Sequence, residues 1–315
     1  MDLENRIGET AKLRRPRFAS LAPGLSKIMI AIVGASLLIA SAPRAQAQDS
    51  APDAAVTACG NSIATCGCTI TKSGFYQVTA DLLSSQGMTA KNGCIDIKAS
   101  KVNLNFGKPP PPHKRLPGFN LTGPGGMTPT GIGLHILKGS NGNFVELPVE
   151  VDGWDVAILV EGNNNIVEDF GARFNGTAAV EINGGKNNNI NDFSAVNNLN
   201  FGVWLRGASN NQVNCSDTDN NGNVGVYIGC SVTGLINAKC HPSVPASNSN
   251  RIYDHSAFSN SKYGVVIDLG NTKNSVSDVN SSGNTTMDML DANASCDNNI
   301  WFFNQFDTAS QSCIN

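Results

Sequence analysis

The chain has 315 residues, of which 22 are basic and 25 acidic, so its net charge is −3; nine are cysteine. A mildly acidic balance argues against a nucleic-acid partner, because contacts to phosphates need clustered cations. We therefore predict no nucleic-acid partner.

The first 47 residues have the order of a secretory signal peptide. Basic residues precede a short apolar run at 28–42, and Ala45-Gln46-Ala47 follows it. The run is too short for a comfortable membrane span, although a retained signal anchor is the alternative. Without residues 1–47, 15 basic and 22 acidic side chains remain, a net charge of −7. We predict a secreted, periplasmic or cell-surface protein with no stable membrane span after signal removal.

All nine cysteines follow this leader, and disulfides form in oxidising compartments. Cys230 with Cys240 could close one loop, and Cys296 with Cys313 could staple the C terminus. The sequence does not fix the pairing, and an odd count leaves at least one thiol free or intermolecular. Cys66-Gly67-Cys68 is interpreted as disulfide or free-thiol cysteines rather than a metal site, because no second Cys/His pair matches it.

A phrase of asparagine, any residue and an apolar residue recurs along the chain. Its asparagines are spaced by 21, 24, 23, 39, 24 and 24 residues. The copies are Asn143-Phe144-Val145, Asn164-Asn165-Ile166, Asn188-Asn189-Ile190, Asn211-Gln212-Val213, Asn250-Arg251-Ile252, Asn274-Ser275-Val276 and Asn298-Asn299-Ile300. A period in the low twenties predicts a repeat array.

A second phrase, small-apolar-x-apolar, keeps the same period. Its copies begin at Gly133, Ala157, Ala179, Gly202, Gly225 and Gly264. Leucine-rich repeats share the period but need several leucines and a short helix in each repeat. The segments here are short, β-branched and broken by Gly, Asn and Ser, which predicts strands with tight turns. Asparagine suits the left-handed turn positions, and stacked copies can form an amide ladder.

Together with "CTITKSGFYQVTADL" (Cys68 to Leu82), "GCIDIKASKVNLNF" and "FNLTGPG", these repeats resemble right-handed parallel β-helix repeat proteins of the pectin-lyase-like superfamily. The resemblance implies an all-β, single-stranded right-handed parallel β-helix with capped ends. We expect a signal peptide at 1–47, first strands and a cap at 48–92, coils at 93–300 and a C-terminal cap at 301–315. Loop insertions are predicted at about 108–118 and 229–249.

Alternate residues of a strand face opposite sides, so the x residue of the second phrase and the residue two further on face outward. The resulting columns contain the candidate catalytic residues Glu161, Glu181 and Arg206. They also contain the candidate substrate-binding residues His135, Asn183, Trp204 and Tyr227. Exposed aromatic rings beside polar groups suit a sugar chain. Paired carboxylates suit hydrolysis, and arginine beside an acid suits proton abstraction from a uronate.

A further column contains mostly aspartates, namely Asp169, Asp192, Cys215, Asp254 and Asp278. Calcium is a possible cofactor there, and capping of turns is the alternative. No other metal ligand set is identified.

Motifs of characterised relatives are mostly absent. The chain has no Gly-His-Gly and no paired Asp-Asp, as polygalacturonase-like relatives would show. Alginate-epimerase-like relatives carry Asp-Pro-His-Asp, and Tyr253-Asp254-His255-Ser256 lacks its proline and second acid. We predict a protein that binds or processes extracellular polysaccharide. As an enzyme it would be a lyase, epimerase or glycoside hydrolase, and a non-catalytic surface, adhesive or structural protein is the alternative.

Overall fold

The computed structural model describes residues 57–84, 92–107, 119–126, 129–230 and 243–315. Apart from a single 3-10 turn at Ala294–Cys296, the regular structure of these residues is β-strand. None of them belongs to a helix long and apolar enough to cross a membrane. The predicted signal peptide at 1–47, the insertion at 108–118 and residues 231–242 of the second insertion lie outside the described ranges.

The strands form two sheets. Sheet A consists of β1 (Thr57–Ala58), β3 (Cys68–Ile70), β6 (Gly93–Ile97), β9 (Ile132–Ile136), β11 (Val156–Val160), β13 (Ala178–Asn183), β15 (Phe201–Arg206), β17 (Val224–Gly229), β19 (Tyr263–Ile267) and β21 (Met287–Asp291). Sheet B consists of β2 (Ser62–Ile63), β4 (Gly74–Val78), β5 (Leu82–Leu83), β7 (Val102–Asn105), β8 (Leu121–Thr122), β10 (Phe144–Asp152), β12 (Ile166–Arg173), β14 (Asn189–Val196), β16 (Gln212–Asp217), β18 (Arg251–Phe258), β20 (Ser275–Ser282), β22 (Ile300–Phe302) and β23 (Gln305–Phe306).

The chain alternates between the two sheets and pairs each strand in parallel with the strand one turn away. About nine such turns stack into a β-solenoid, which confirms the predicted all-β parallel β-helix. The segment predicted as first strands and cap already pairs within the same sheets, since β3 pairs with β6 and β4 with β7. At the other end, β22 and β23 both continue the pairing of β20.

Left-handed backbone residues mark the bends of each turn. Asn164, Asn187 and Asn210, with φ of 56°, 56° and 58°, stand directly before an inward-pointing asparagine. The predicted aspartate column marks a second bend inside the long sheet B strands. All its members, including Asp169 (φ 63°) and Cys215 (φ 50°), are left-handed. Aspartate tolerates this conformation better than most residues, so backbone geometry accounts for the column.

The predicted asparagine ladder is present inside the solenoid. Each side-chain Nδ2 donates to the Oδ1 of the asparagine one turn later, at 2.9–3.3 Å. The members are Asn143, Asn165, Asn188, Asn211, Asn250, Asn274 and Asn299, and all are buried. In two copies the ladder residue is the second asparagine of the pair, namely Asn165 and Asn299. In the copy that contains Asn165, the preceding Asn164 occupies the left-handed backbone position. The ladder gives the buried side-chain amides of these asparagines hydrogen-bond partners, which buried polar groups require.

A second ladder, which was not predicted from the sequence, lies at the other end of the sheet B strands and is formed by Asn175, Asn198, Asn221, Asn260 and Asn284. Both ladders end on a buried carboxylate in the last turn. Asn299 donates to Asp291 at 3.1 Å, and Asn284 donates to Asp288 at 2.8 Å. Two aspartates therefore accept the hydrogen bonds that a further asparagine would accept in a longer solenoid.

The small residue of the second phrase is explained by close packing between turns. A Cβ atom on Gly202 would lie 2.6 Å from the carbonyl oxygen of Gly225, and one on Gly225 would lie 2.7 Å from that of Gly264. The apolar residues that follow, such as Val203 and Leu205, fill the solenoid interior with no exposed surface. The backbones of neighbouring sheet A strands are so close at this position that a small residue is favoured there.

Disulfides tie both ends of the described solenoid. Cys59 pairs with Cys68 and Cys66 with Cys94, so Cys66-Gly67-Cys68 contributes to two disulfides, as expected of that motif. The predicted pair of Cys296 and Cys313 is confirmed. Cys230 is disulfide-bonded, and Cys240, its predicted partner, lies outside the described residues. Cys215 is free and exposed.

Candidate functional site

The outward face of sheet A has the columns that the repeat predicts. His135 aligns with Leu159, Leu159 with Glu181, Glu181 with Trp204 and Trp204 with Tyr227. Asn183 aligns with Arg206 in the second column. Residues 22 to 24 positions apart in the sequence are thus brought to neighbouring strands, about 4.8 Å apart.

A recess of about 310 Å³ opens at the end of these strands. Its polar walls come from Lys138, Glu161, Asn183, Arg206 and Ser243. The remaining lining is Gly184, Gly207, Val244 and Pro245. The structure therefore brings three predicted site residues together, and residues 243–245 of the second insertion form one wall. We call this recess the sheet A pocket.

Glu161 is held at the pocket from both sides. His135 Nε2 lies 3.0 Å from its Oε2, and Asn183 Nδ2 donates to its Oε1 at 3.4 Å. His135 itself is only 5% exposed, and Asp96 lies on its other side with an Nδ1–Oδ1 distance of 3.5 Å. Burial alone lowers the pKa of His135, but the carboxylates of Asp96 and Glu161 outweigh that effect and raise it to about 9. The imidazole is therefore a cation at neutral pH.

Glu181 forms an ion pair with Arg206, whose guanidinium Nη1 lies 3.4 Å from the Glu181 Oε1. Burial raises the pKa of Glu181, and the charge of Arg206 only partly offsets this. The Arg206 guanidinium also lies over the Trp204 ring, 5.3 Å from the ring centroid, and its buried Nε has no hydrogen-bond partner among the residues that the structure describes. Glu181 is not part of the pocket lining, so its described contact with the site passes through Arg206.

The expectation that Trp204 and Tyr227 are exposed is wrong. Both lie on the outward side of sheet A, but Trp204 is 4% exposed and Tyr227 is fully buried. They pack with Phe201, whose ring lies 5.1 Å from that of Trp204 and 5.4 Å from that of Tyr227. Ala178, Val224 and Val266 complete this second apolar cluster outside the solenoid core. Neither ring is accessible for stacking on a sugar.

His255, the histidine of the incomplete Asp-Pro-His-Asp match, has structural contacts. His255 is buried inside the solenoid between the hydroxyls of Ser216 and Thr218, at 2.7 and 2.9 Å, and burial lowers its pKa to about 3. The described residues contain no cluster of three or more His, Cys, Asp or Glu side chains able to hold a metal.

Sequence reasoning missed Lys138 as a pocket residue. It lies two residues after the end of β9, beyond the second outward position, where the alternation of a strand no longer assigns a side. Its placement one turn before Glu161 and three residues after His135 is the signal that could have identified it.

Comparison with known proteins supports the fold. No protein-family model and no curated protein sequence matches the chain. The Dettilon tailspike protein is 12% identical with a TM-score of 0.51, over 79% of this chain and 53% of that one. The enzymatically active domain of tailspike protein 2 of bacteriophage CBA120 is 11% identical with a TM-score of 0.51, over 78% and 42%. The periplasmic alginate epimerase AlgG is 12% identical with a TM-score of 0.45, over 72% and 62%.

The chain thus spans less than two thirds of the length of each of these proteins. At such low identity, the match to the two tailspike proteins shows a common fold, which does not determine function. The chain shares its parallel β-helix fold with these tailspike proteins.

Proposed function

We propose that this protein is exported and binds an extracellular polysaccharide in the sheet A pocket. The observation that carries the proposal is the convergence of Lys138, Glu161, Asn183 and Arg206 around one open recess. Polar groups converging on a concave surface are typical of ligand sites. Three disulfides among the described residues support export, because disulfides persist in oxidising compartments.

The charge of the pocket favours an acidic polysaccharide. The protein without its leader is acidic, with a net charge of −7, and would repel a polyanion in general. Lys138 and Arg206 place two cations at the pocket wall, and the protonated His135 lies behind Glu161. The charge of His135 is balanced by Asp96 and Glu161, so Lys138 and Arg206 are the groups that can offset the carboxylate of a bound uronate.

The contacts favour proton abstraction over hydrolysis as the reaction. A hydrolase needs two carboxyl groups that both reach the scissile bond, whereas Glu181 is buried and ion-paired behind the pocket. Glu161 can instead accept the proton next to a uronate carboxylate that Lys138 and Arg206 neutralise. A lyase would then form a carbon–carbon double bond as the glycosidic bond breaks and the leaving oxygen takes up a proton from solvent, and an epimerase would return a proton to the other face of the same carbon.

A screen of purified protein against acidic and neutral polysaccharides, with and without calcium, tests this proposal. A lyase yields ultraviolet absorbance from the new double bond, and an epimerase changes the uronate composition. Glu161→Gln should lower turnover by about 10²- to 10⁴-fold. Arg206→Gln should weaken binding by about 10- to 100-fold. Arg173→Gln is the matched control, since Arg173 pairs with Asp152 and Glu150 on sheet B.

The absence of Gly-His-Gly and Asp-Asp favours a second candidate, a non-catalytic surface or adhesive protein. Binding on a glycan array without any product would support it, provided that Arg206→Gln weakens the binding. Unchanged binding in Arg206→Gln and Lys138→Gln would remove the sheet A pocket from either proposal. Trp204→Ala is less informative, because it removes a buried ring.

A further inference from the structure

Glu161 is the last member of a chain of three ionisable side chains from three consecutive turns of sheet A. Asp96 is on β6, His135 on β9, and Glu161 directly follows β11. Their side chains are 14%, 6% and 28% exposed, respectively. Of the three, only Glu161 lines the sheet A pocket. The other two are placed to act on a ligand through Glu161.

We propose that Asp96 and His135 are positioning residues that hold the Glu161 carboxylate at the wall of the sheet A pocket. This inference rests on the proposed function of the pocket, and it changes the expected role of His135 from contact with substrate to support of Glu161. Asp96, which was not among the candidate site residues, becomes part of the site.

The series of three ionisable side chains is anchored at Asp96. Asp96 Oδ1 accepts a hydrogen bond from the Gly93 backbone N–H at 2.8 Å. A Cβ atom at Gly93 would lie 2.8 Å from Asp96 Oδ1 and 3.1 Å from His135 Cβ. Position 93 therefore has no space for a side chain while Asp96 and His135 keep this arrangement.

The protonation state of His135 determines whether its ring has an N–H for Asp96 and one for Glu161 at the same time. A neutral imidazole has a hydrogen on one ring nitrogen only, whereas the cation has one on each. With its pKa raised to about 9, His135 at neutral pH has one N–H on Nε2, 3.0 Å from Glu161 Oε2, and one on Nδ1. The Nδ1 atom lies 3.5 Å from Asp96 Oδ1, an ion pair without a hydrogen bond among the described residues.

The charged groups of the flanking turns are few. Asp96 and Lys98 come from the turn before, Lys138 follows β9 itself, and Glu161 comes from the turn after. Of these four, Asp96 and Glu161 form ion pairs with His135. Two carboxylates around one buried cation leave the group with one net negative charge, carried to the pocket by Glu161.

Nuclear magnetic resonance of the histidine rings in the full mature chain tests this inference without any ligand. We expect the His135 ring to titrate near pH 9 in the wild type. Asp96→Asn keeps an acceptor for the Gly93 N–H but loses the charge, and should lower that midpoint by about 1–3 pH units. Glu161→Gln should lower it similarly.

Asp254→Asn is the matched control, because Asp254 is exposed at a bend of sheet B, and it should leave the His135 midpoint unchanged. His255 serves as an internal reference that stays neutral over the same range. A wild-type midpoint near 6.5, or one that Asp96→Asn does not move, would overturn the inference.

A kinetic measurement uses whichever polysaccharide the screen finds to be converted. Asp96→Asn and His135→Gln should each lower kcat about 10- to 100-fold through misplacement of Glu161, with a smaller effect on KM. In the wild type, kcat should fall above pH 9, and in Asp96→Asn the fall should begin at the lower midpoint seen by resonance. If the pH profile of kcat in Asp96→Asn keeps the wild-type midpoint, a positioning role is contradicted. Since the titration needs no polysaccharide, failure of the proposed function is distinguishable from failure of the inference.

Discussion

Replacing Asn188 with alanine tests whether the asparagine ladder holds the solenoid together. Asn188 is 1% exposed, and its side chain makes four hydrogen bonds. Its Nδ2 donates to Asn211 Oδ1 and to the Gly162 carbonyl, both at 3.0 Å. Its Oδ1 accepts from the backbone N–H and the Nδ2 of Asn165, at 2.9 and 3.0 Å. The substitution interrupts the ladder near the middle of the chain.

The cost follows from the groups left behind. A hydrogen bond contributes about 0.5–1.5 kcal/mol net, and each buried polar group left unpaired costs about 1–3 kcal/mol. Two donors of Asn165 lose their Asn188 acceptor, while the Asn211 amide and the Gly162 carbonyl each lose a donor. We expect the free energy of unfolding to fall by about 3–6 kcal/mol. Because each turn of a solenoid contacts only its neighbours, the two halves should also unfold less cooperatively.

Guanidinium denaturation followed by circular dichroism measures both effects. Asn189→Ala is the matched control, because this neighbouring asparagine is not a ladder member and its Oδ1 has no hydrogen-bond partner within the described part of the chain. That variant should lose less than about 1 kcal/mol. Equal destabilisation of the two variants would refute the argument that the ladder bonds, rather than asparagine at a turn, stabilise the fold.

Three further predictions concern ionisable side chains. Because folding raises the pKa of His135, its protonation stabilises the folded state, and this stabilisation is fully present below pH 6.5. About 3 kcal/mol of it should be lost as the pH rises through about 9. Urea midpoints measured against pH test this, and His135→Gln should flatten the dependence of stability on pH. Burial alone raises the pKa of Asp288, but hydrogen bonds from Asn284 and Thr308 lower it. Its stabilisation should therefore be lost only below pH 3.8, and Asp288→Asn should reduce that acid sensitivity. Cys215→Ser should abolish maleimide labelling of the native thiol without changing Tm, because Cys215 is exposed.

Much of the fold could be predicted from the sequence because a solenoid repeats the same local rules in every turn. The alternation of strand residues assigned Glu181, Trp204 and Tyr227 to one outward column, and the strand register agrees. The spacing of the asparagines indicated a ladder, although it could not decide between Asn164 and Asn165. That choice depends on which backbone adopts the left-handed conformation.

The second ladder escaped because its asparagines are not followed by an apolar residue at the spacing of the first phrase. Asn175, Asn198 and Asn221 each stand three residues before a sheet A strand, at Ala178, Phe201 and Val224. That regularity was available in the sequence. The terminal carboxylates were harder to identify, since Asp288 and Asp291 differ from surface aspartates only in what their neighbours donate.

The candidate site shows where reasoning from the repeat stops. Alternation states on which side of a sheet a residue lies, but not what packs above it, so Trp204 and Tyr227 were expected to be exposed although an apolar cluster buries them. The same ambiguity applies to Glu161 and Glu181. Both face outward, yet Glu161 reaches the sheet A pocket while Glu181 is buried against Arg206. Their chemical roles differ because of contacts between turns and with residues 243–245, which follow no period. In this solenoid the repeat therefore determines which residues can meet, and the irregular segments determine which of them a ligand can reach.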